Sequence, residues 1–300
     1  MLVYLANIAL LLSWGYFLLV KHPSNKNRKI FCAIAAIQWI LISGLRSESI
    51  GADTENYGRH FYAMRNVSLQ DQLQLCWDYI FHGVDANDPG FYLLVKLFQY
   101  VCNDYRAFLF FVSAVFMIPM AVWIYRNSAM PCLSFIIYSI LFYSFFSVTG
   151  YRQTIATALI VFIGYKYVKE RKLGAFLIIA FVAFMIHKSS IVFIPYYFIA
   201  NLEIKQPYVS VVTAAIVVVT ILGRRIYEPI ATFLGFGSKD IFENSVGGTG
   251  TFVFLMLTVC ALAILLYPII QKRRSDTNFL YNQLFLTTLT TLLVIHVDYP

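Results

Sequence analysis

The chain has 300 residues and a mass of 34.4 kDa; 60% of the residues are hydrophobic, only 13% are charged, and the mean hydropathy is +0.70. A typical soluble domain is about half apolar and about one-quarter charged, so this composition excludes a soluble globular fold, and it equally excludes a disordered chain. The net charge of +8 lies in basic loops between apolar runs, where it reports membrane orientation, so no nucleic-acid partner is expected.

Apolar runs that suit membrane helices follow one another along the chain. A helix that crosses a bilayer needs about 20 mostly apolar residues, and its backbone must satisfy its own hydrogen bonds in lipid. The runs cover residues 2–20, 30–45, 105–125, 131–149, 152–168, 173–187, 189–201, 207–223, 251–270 and 279–297. We therefore predict an all-α fold, a polytopic transmembrane helix bundle of about 10 spans that forms one integral membrane domain over residues 1–300.

The basic residues between these runs predict the orientation of the bundle. Loops rich in Lys and Arg remain in the cytoplasm, and three such loops lie on one side if every run crosses once. They contain Lys21, Lys26, Arg28 and Lys29; Lys166, Lys169, Arg171 and Lys172; and Lys272, Arg273 and Arg274. The N-terminus is then predicted outside, with two long outer loops over residues 46–104 and 224–250.

One further apolar segment, residues 91–102, is too short for a span and contains Lys96. Counting it as a crossing would move the basic loop at residues 169–172 to the outside. We therefore predict that it forms an interfacial or re-entrant helix within the first outer loop. At the other end, the chain stops at Pro300 just as its last run ends, and we expect a chain that is shortened at its C-terminus.

Ionisable side chains gather at the predicted outer ends of the runs, where they are costly beside hydrocarbon and need an explanation. The cluster consists of Arg46, Arg152, His187, Lys188, Arg224 and Arg225. Any one arginine is better explained as an anchor to lipid headgroups. Several on one face suit an anionic ligand such as a lipid-linked diphosphate. His187 could carry a proton, or be an ordinary hydrogen-bonded residue between helices.

Two carboxylates in the first outer loop, Asp53 and Glu55, are candidates for base chemistry. They also form a D-x-E pair, which holds a divalent metal in some lipid-sugar transferases, but this spacing is common. The five cysteines lack a metal-binding spacing, and the glycine-rich residues 247–250 lack the lysine of a P-loop. We therefore expect neither a metal nor another cofactor.

Several short motifs follow one another along nearly the whole chain. They are Gly44-Leu-Arg46, Ile50-Gly-Ala-Asp53-Thr-Glu-Asn-Tyr57, Asp88-Pro-Gly90-Phe91, Tyr151-Arg152-Gln153-Thr-Ile-Ala156, His187-Lys-Ser-Ser190 with Pro195, and Tyr281-Asn282. In their order and spacing the chain resembles the EpsG family of exopolysaccharide polymerases, which are related in kind to Wzy-type O-antigen and capsule polymerases. The family's Gly-Thr-Asp-Thr pattern reads Gly51-Ala52-Asp53-Thr54 here, which is a mild departure.

The resemblance implies a glycosyltransferase that polymerises oligosaccharide repeat units linked to undecaprenyl diphosphate, for exopolysaccharide, capsule or O-antigen. It implies a multi-pass protein of the bacterial plasma (inner) membrane with its active site facing outside, surrounded by membrane lipid, and with a flippase and a chain-length regulator of the same pathway as partners. The implied catalytic residues are Arg152, Asp53 as the first choice of base and His187 as the second. The implied diphosphate and glycan ligands are Arg46, Arg152, Gln153, Tyr57, Arg224 and Arg225.

Three other functions remain open from the sequence. A flippase or transporter for a lipid-linked glycan would place charged or broken-helix sites near the membrane midplane, and few charges lie within the runs. An O-antigen ligase-like transferase would share the donor but use a different acceptor. A membrane acyltransferase would use His187 as its base and would leave the outer-face arginines without a role.

Overall fold

The computed structural model describes residues 2–47, 50, 53–140, 144, 149–203, 249–270, 272 and 277–295, together with separate positions between 211 and 229. These residues contain helices and turns and no strand, which confirms the all-α fold. The chain divides into two compact units, Met1–Ile191 and Val192–Pro300. That the two units form one integral membrane domain stays a prediction.

The first unit contains most of the described helices. They are α1 Leu2–Gly15, α2 Asn25–Gly44, α3 Thr54–Ala63, α4 Leu69–Phe81, α5 Pro89–Val101, α6 Tyr105–Asn127, α7 Pro131–Ile140, α8 Tyr151–Thr157, α9 Gly164–Lys169 and α10 Leu173–Ile186. A π-helical turn, Tyr16–Lys21, extends α1, and a second one, Ala158–Ile163, joins α8 to α9. The first and fifth predicted runs are thus each one continuous helix.

Two helices in the described part of the chain are long and apolar enough to cross a membrane by length and composition, Leu2–Lys21 and Tyr105–Asn127. Shorter apolar helices cover Pro131–Ile140, Leu173–Ile186 and Leu257–Ile270. The predicted run at 207–223 and the outer loop at 224–250 lie largely outside the described residues. The count of about 10 spans therefore stays a prediction.

The predicted first outer loop, residues 46–104, is mostly helical and contains α3, α4 and α5. The short apolar segment at 91–102 forms a helix as predicted, since α5 covers Pro89–Val101. Lys96 on α5 is only 9% exposed, and its ammonium group donates to the backbone carbonyl of Met64 at 3.0 Å. This lysine therefore joins α5 to the turn that follows α3, while the position of α5 relative to the membrane stays a prediction.

Two hydrophobic cores lie within the first unit. The first core packs α2 against α6 and α7, and its largest buried side chains include Phe31, Trp39, Phe116 and Phe135. The second packs α3, α5, α6 and α8, with Phe61, Phe91, Phe108, Tyr105 and Tyr151 fully buried. Burying an aromatic side chain is worth about 1.5–3 kcal/mol. This second core fixes the start of α8 beside α3 and α5.

In the second unit, α11 Ile194–Ile199, α12 Thr249–Ile270 and α13 Thr277–Ile295 are described. Tyr281 and Phe285 on α13 are buried in a core with Cys260 of α12. The buried amide of Asn282 donates to the backbone carbonyls of Ala200 and Leu202, at 3.2 and 2.9 Å. The Tyr281-Asn282 motif therefore joins α13 to the end of α11.

Candidate functional site

A buried carboxylate, Asp88, lies at the centre of a polar cluster in the first unit. Its side chain is 1% exposed and accepts a hydrogen bond from the backbone N–H of Lys188 at 3.0 Å through Oδ1. Its Oδ2 lies 3.1 Å from Nδ1 of His187 and 2.9 Å from Nη1 of Arg152, with which it forms an ion pair. One carboxylate thus joins the residues after α10 to the start of α8.

The backbone around Asp88 explains why the carboxylate reaches α10. Asp88 immediately precedes α5 and has a φ of 52°, a left-handed conformation that Asp tolerates better than most residues. An Asp in this position usually caps its own helix, but Asp88 makes no such bond. Its side chain instead pairs with residues about a hundred positions further along the chain.

Close packing between α5 and α10 keeps this pairing in place. A Cβ atom on Gly90 would lie 2.6 Å from Cβ of Met185 and 2.7 Å from its backbone carbonyl oxygen. Only glycine fits at such an approach without a shift of the backbone. On the other side of the turn, the buried amide of Gln72 on α4 donates to the carbonyl of Pro89 at 2.9 Å.

Arg152 lies in the first turn of α8, and its side chain is 23% exposed. Its Nε donates to the hydroxyl of Tyr57 at 3.4 Å, and its guanidinium lies 5.6 Å above the centre of the Tyr57 ring. No described residue pairs with Nη2. Arg152 is therefore held at two of its nitrogens by the protein and still has donors for a ligand.

Arg46 is close to the same cluster but inside the protein. It is 7% exposed, and its guanidinium donates to the backbone carbonyl and hydroxyl of Ser43 and to the hydroxyl of Tyr151. The rings of Tyr151 and Tyr57 stack at 4.6 Å, and a guanidinium lies over each ring. The stacked tyrosines thus connect Arg46 to Arg152.

The electrostatics of the cluster keep Asp88 ionised. Burial alone would raise the pKa of Asp88, but the hydrogen bond and charge of His187, the N–H of Lys188 and the charge of Arg152 outweigh it and hold that pKa below its ordinary value. Burial raises the pKa of Tyr57, and Arg152 opposes this only in part. At neutral pH the cluster therefore presents a carboxylate and an intact phenol.

The structure brings together four of the residues predicted from the sequence: Arg46, Tyr57, Arg152 and His187. Asp53, Glu55 and Gln153 are exposed. The backbone carbonyl of Asp53 accepts the N–H of Tyr57 at 2.9 Å, and the charge of its side chain raises the pKa of Tyr57. Arg225 is exposed in the second unit, and Arg224 lies outside the described residues. Among the residues that can be placed, no group of three or more His, Cys, Asp or Glu side chains is arranged to hold a metal ion.

Asp88 was absent from the predicted site residues, although the Asp88-Pro-Gly90-Phe91 motif belongs to the set that carried the family resemblance. The available signal was this turn motif, because Asp and Gly around a Pro mark a backbone with special conformation. The partners of the carboxylate became visible only with the packing of α5 against α10.

The profile of the EpsG family matches residues 29–298. The chain belongs to the EpsG family. This confirms the suspected resemblance, and it supports a general role as a Wzy-like polysaccharide polymerase, a glycosyltransferase-like activity and a membrane protein. Neither a curated protein nor a solved structure matched the chain. All residues of the Asp88 cluster lie within the range that matches the EpsG family.

Proposed function

We propose that this EpsG-family protein polymerises oligosaccharide repeat units linked to undecaprenyl diphosphate, on the outer face of the bacterial plasma membrane. The observation that carries the proposal is the partly exposed guanidinium of Arg152, held by Asp88 and Tyr57 beside His187. Such a preorganised donor suits a reaction in which negative charge grows on a phosphate oxygen.

Arg152 would bind the diphosphate of the donor. When the bond between the anomeric carbon and the diphosphate breaks, charge accumulates on the leaving oxygen, and a fixed guanidinium stabilises it better than mobile water does. Nη2 of Arg152 is free of described partners and could meet that oxygen without breaking the contacts to Asp88 and Tyr57. Arg46 would support this arrangement through Tyr151, because its own guanidinium is already engaged.

The acceptor would be the hydroxyl at the non-reducing end of an incoming lipid-linked repeat unit. This hydroxyl must lose a proton as it attacks an oxocarbenium-like carbon, so a base is required. Asp53 and His187 are the two candidates. Both substrates are anchored in the membrane, so much of the remaining rate would come from holding them in register.

The outer-face location rests on charge. With the basic loops in the cytoplasm, the starts of α5 and α8 and the end of α10 lie at the outer surface, and these are the positions of Asp88, Arg152 and His187. Membrane lipid would surround the bundle, and a flippase and a chain-length regulator would be its partners in the same pathway. Arg225 and Gln153 stay proposed ligands of the glycan or diphosphate.

The decisive experiment uses purified protein in liposomes with a synthetic undecaprenyl-diphosphate repeat unit. We expect a ladder of products, and we expect Arg152→Ala to lower the polymerisation rate by about 10²–10³-fold. Arg106→Ala is the matched control, because Arg106 is an exposed arginine in the first turn of α6, and it should leave the ladder intact.

Other products would contradict the polymerase. Movement of the lipid-linked unit across the bilayer without new glycosidic bonds would identify a flippase. A single transfer to a different acceptor would identify a ligase-like transferase. A full ladder from Arg152→Ala at normal protein level would remove Arg152 from the reaction.

A further inference from the structure

We infer that Asp88 is a positioning residue that selects His187 as the base: it holds the imidazole with its proton on Nδ1, so that Nε2 is free to take the proton of the acceptor hydroxyl, and it holds Arg152 beside it. This inference rests on the proposed polymerase reaction, since it assigns the proton transfer of that reaction. It gives Asp88 a role without contact to substrate.

The atoms around Asp88 determine which ring nitrogen of His187 carries hydrogen. A carboxylate can only accept hydrogen bonds, and Oδ1 of Asp88 already accepts the N–H of Lys188 at 3.0 Å. Oδ2 faces Nδ1 of His187 at 3.1 Å, so Nδ1 must be the nitrogen that carries hydrogen. In a neutral imidazole the other nitrogen then has a lone pair and acts as acceptor.

Oδ2 of Asp88 also places the base, His187, beside Arg152, the residue that would bind the diphosphate. Oδ2 of Asp88 lies 2.9 Å from Nη1 of Arg152 as well as 3.1 Å from His187. The imidazole and the guanidinium are therefore neighbours, as a reaction requires when its leaving group and its nucleophile meet at one carbon. The side chain of His187 is 26% exposed, so it is accessible to a substrate.

Rigid backbone contacts hold Asp88 in this position. The left-handed φ of 52° turns its carboxylate away from its own helix, and Gly90 lets α5 approach Met185 of α10. Gln72 fixes the next carbonyl, that of Pro89. Asp53, the competing base, is exposed, and its side chain has none of these fixed partners among the contacts described.

In the proposed reaction one glycosidic bond forms, one bond to the diphosphate breaks, and one proton moves to His187. The oxygen of the acceptor hydroxyl forms a bond to the anomeric carbon of the donor sugar, and its proton goes to Nε2 of His187. The bond between that carbon and the diphosphate oxygen breaks, and the electron pair leaves with the diphosphate, whose charge Arg152 balances. The imidazolium that results donates from both nitrogens, and Asp88 stabilises it until it loses the proton to water.

Asp88→Asn is the informative variant. Asn has the shape of Asp and tolerates a left-handed φ, so the turn before α5 should keep its backbone. Its amide group, however, has one acceptor oxygen and one NH₂. Whichever way the amide turns, the NH₂ opposes either the N–H of Lys188 or the pair formed by His187 and Arg152. We expect the polymerisation rate to fall by about 10²–10⁴-fold.

The chain contains a matched control for this variant. Asp78 and His82 form an exposed Asp–His pair on α4, with 2.6 Å between Oδ1 and Nδ1. Asp78→Asn removes the same kind of contact outside the cluster, and we expect an unchanged rate. A double variant adds a test of mechanism: Asp88→Asn combined with His187→Gln should lose less than the product of the two single losses, since the part of the Asp88 effect that acts through the imidazole is already lost in His187→Gln. A purely structural role of Asp88 would multiply the two losses.

Nitrogen NMR of ¹⁵N-histidine-labelled protein in nanodiscs tests the inference independently of activity. The His187 signals, assigned by their loss in His187→Gln, should show hydrogen on Nδ1 in the native chain and lose this preference in Asp88→Asn. If the native protein polymerises but Asp88→Asn keeps its full rate, the inference fails and the polymerase stands. If no polymer forms at all, the proposed function fails, and the NMR signals alone decide whether Asp88 fixes the tautomer: an unchanged His187 signal in Asp88→Asn overturns it.

Discussion

Two arginines of the cluster lie in different surroundings although they were predicted to act together. Arg46 is buried, and its two terminal nitrogens donate to Ser43 and Tyr151, while its buried Nε has no partner among the described residues. Arg152 is partly exposed and has a nitrogen without a described partner. A buried arginine whose partners all lie inside the protein supports the fold, whereas a partly exposed arginine with an unpaired donor can bind an anion. Lysine substitutions should therefore separate the two roles.

We expect Arg46→Lys to lower stability and Arg152→Lys to lower activity. A lysine at position 46 keeps the charge but cannot reach both Ser43 and Tyr151 with a planar fork, so buried groups lose partners at a cost of about 1–3 kcal/mol. A lysine at position 152 fits the fold but loses the geometry that binds a diphosphate. Thermal unfolding in detergent and the polymerisation ladder measure the two effects. Equal losses of stability in both variants would contradict the distinction.

The sequence predicted the arginines and the histidine of the cluster but missed the carboxylate of Asp88 at its centre, for a physical reason. An arginine or histidine beside an apolar run is conspicuous because its cost in lipid demands an explanation, and Arg46, Arg152 and His187 were found in this way. Asp88 stands in a polar segment among other acids, where a carboxylate needs no explanation. Its burial is a consequence of tertiary packing, and its partners come from α8 and from the residues after α10.

At the scale of elements, the start of α5 and the end of α10 pack closely in the site. Gly90 meets both the side chain and the backbone of Met185. A backbone carbonyl cannot turn aside as a flexible side chain can, so the two helices must separate to admit any larger residue. Because Asp88 and His187 lie at these two helix ends, the separation would also lengthen their contact.

We expect Gly90→Ala to destabilise the protein by about 1–3 kcal/mol, as overpacking of a well-filled interior does, and to lower activity with it. Gly174→Ala on α10 is the control, because a Cβ there would meet nothing within 4 Å. Alanine is a better helix former than glycine, so this variant should be neutral or more stable by about 0.5–1 kcal/mol. Thermal unfolding of both variants tests this, and equal stability of Gly90→Ala and the native chain would contradict it.

The approximate boundaries of several helices could be predicted from the apolar runs, but the tertiary contacts at the helix ends could not. The segment at 91–102 was predicted to form a short helix, which α5, Pro89–Val101, confirms, while its place at the outer face stays a prediction. The break between the runs at 173–187 and 189–201 looked like a tight turn. In the structure α10 ends at Ile186, the N–H of His187 still donates to the carbonyl of Ala183 in α10, and the N–H of Lys188 donates to Oδ1 of Asp88. The hydrophobic pattern of the sequence does not indicate that Asp88 is the partner of this N–H group.

At the scale of the whole molecule, the proposal requires that the cluster faces outside. The charge pattern predicts this orientation: basic residues gather in alternate predicted loops, and most acids lie in the others. The loop between α9 and α10 carries Lys172 paired with Glu170 at 2.7 Å. The loop before α5 carries Asp85 and leads into Asp88. The proposal requires that these two loops lie on opposite sides of the membrane.

Cysteine labelling in whole cells tests this arrangement directly. In a chain whose five native cysteines are replaced by alanine or serine, Asp85→Cys and Lys172→Cys each introduce one thiol at an exposed position. We expect a membrane-impermeant maleimide to label Asp85→Cys in intact cells and Lys172→Cys only after permeabilisation, because basic loops remain in the cytoplasm. Labelling of Lys172→Cys in intact cells would reverse the sidedness. Asp88, Arg152 and His187 would then face the cytoplasm, where nucleotide-activated sugars occur, and a lipid-diphosphate donor would lose its geometric support.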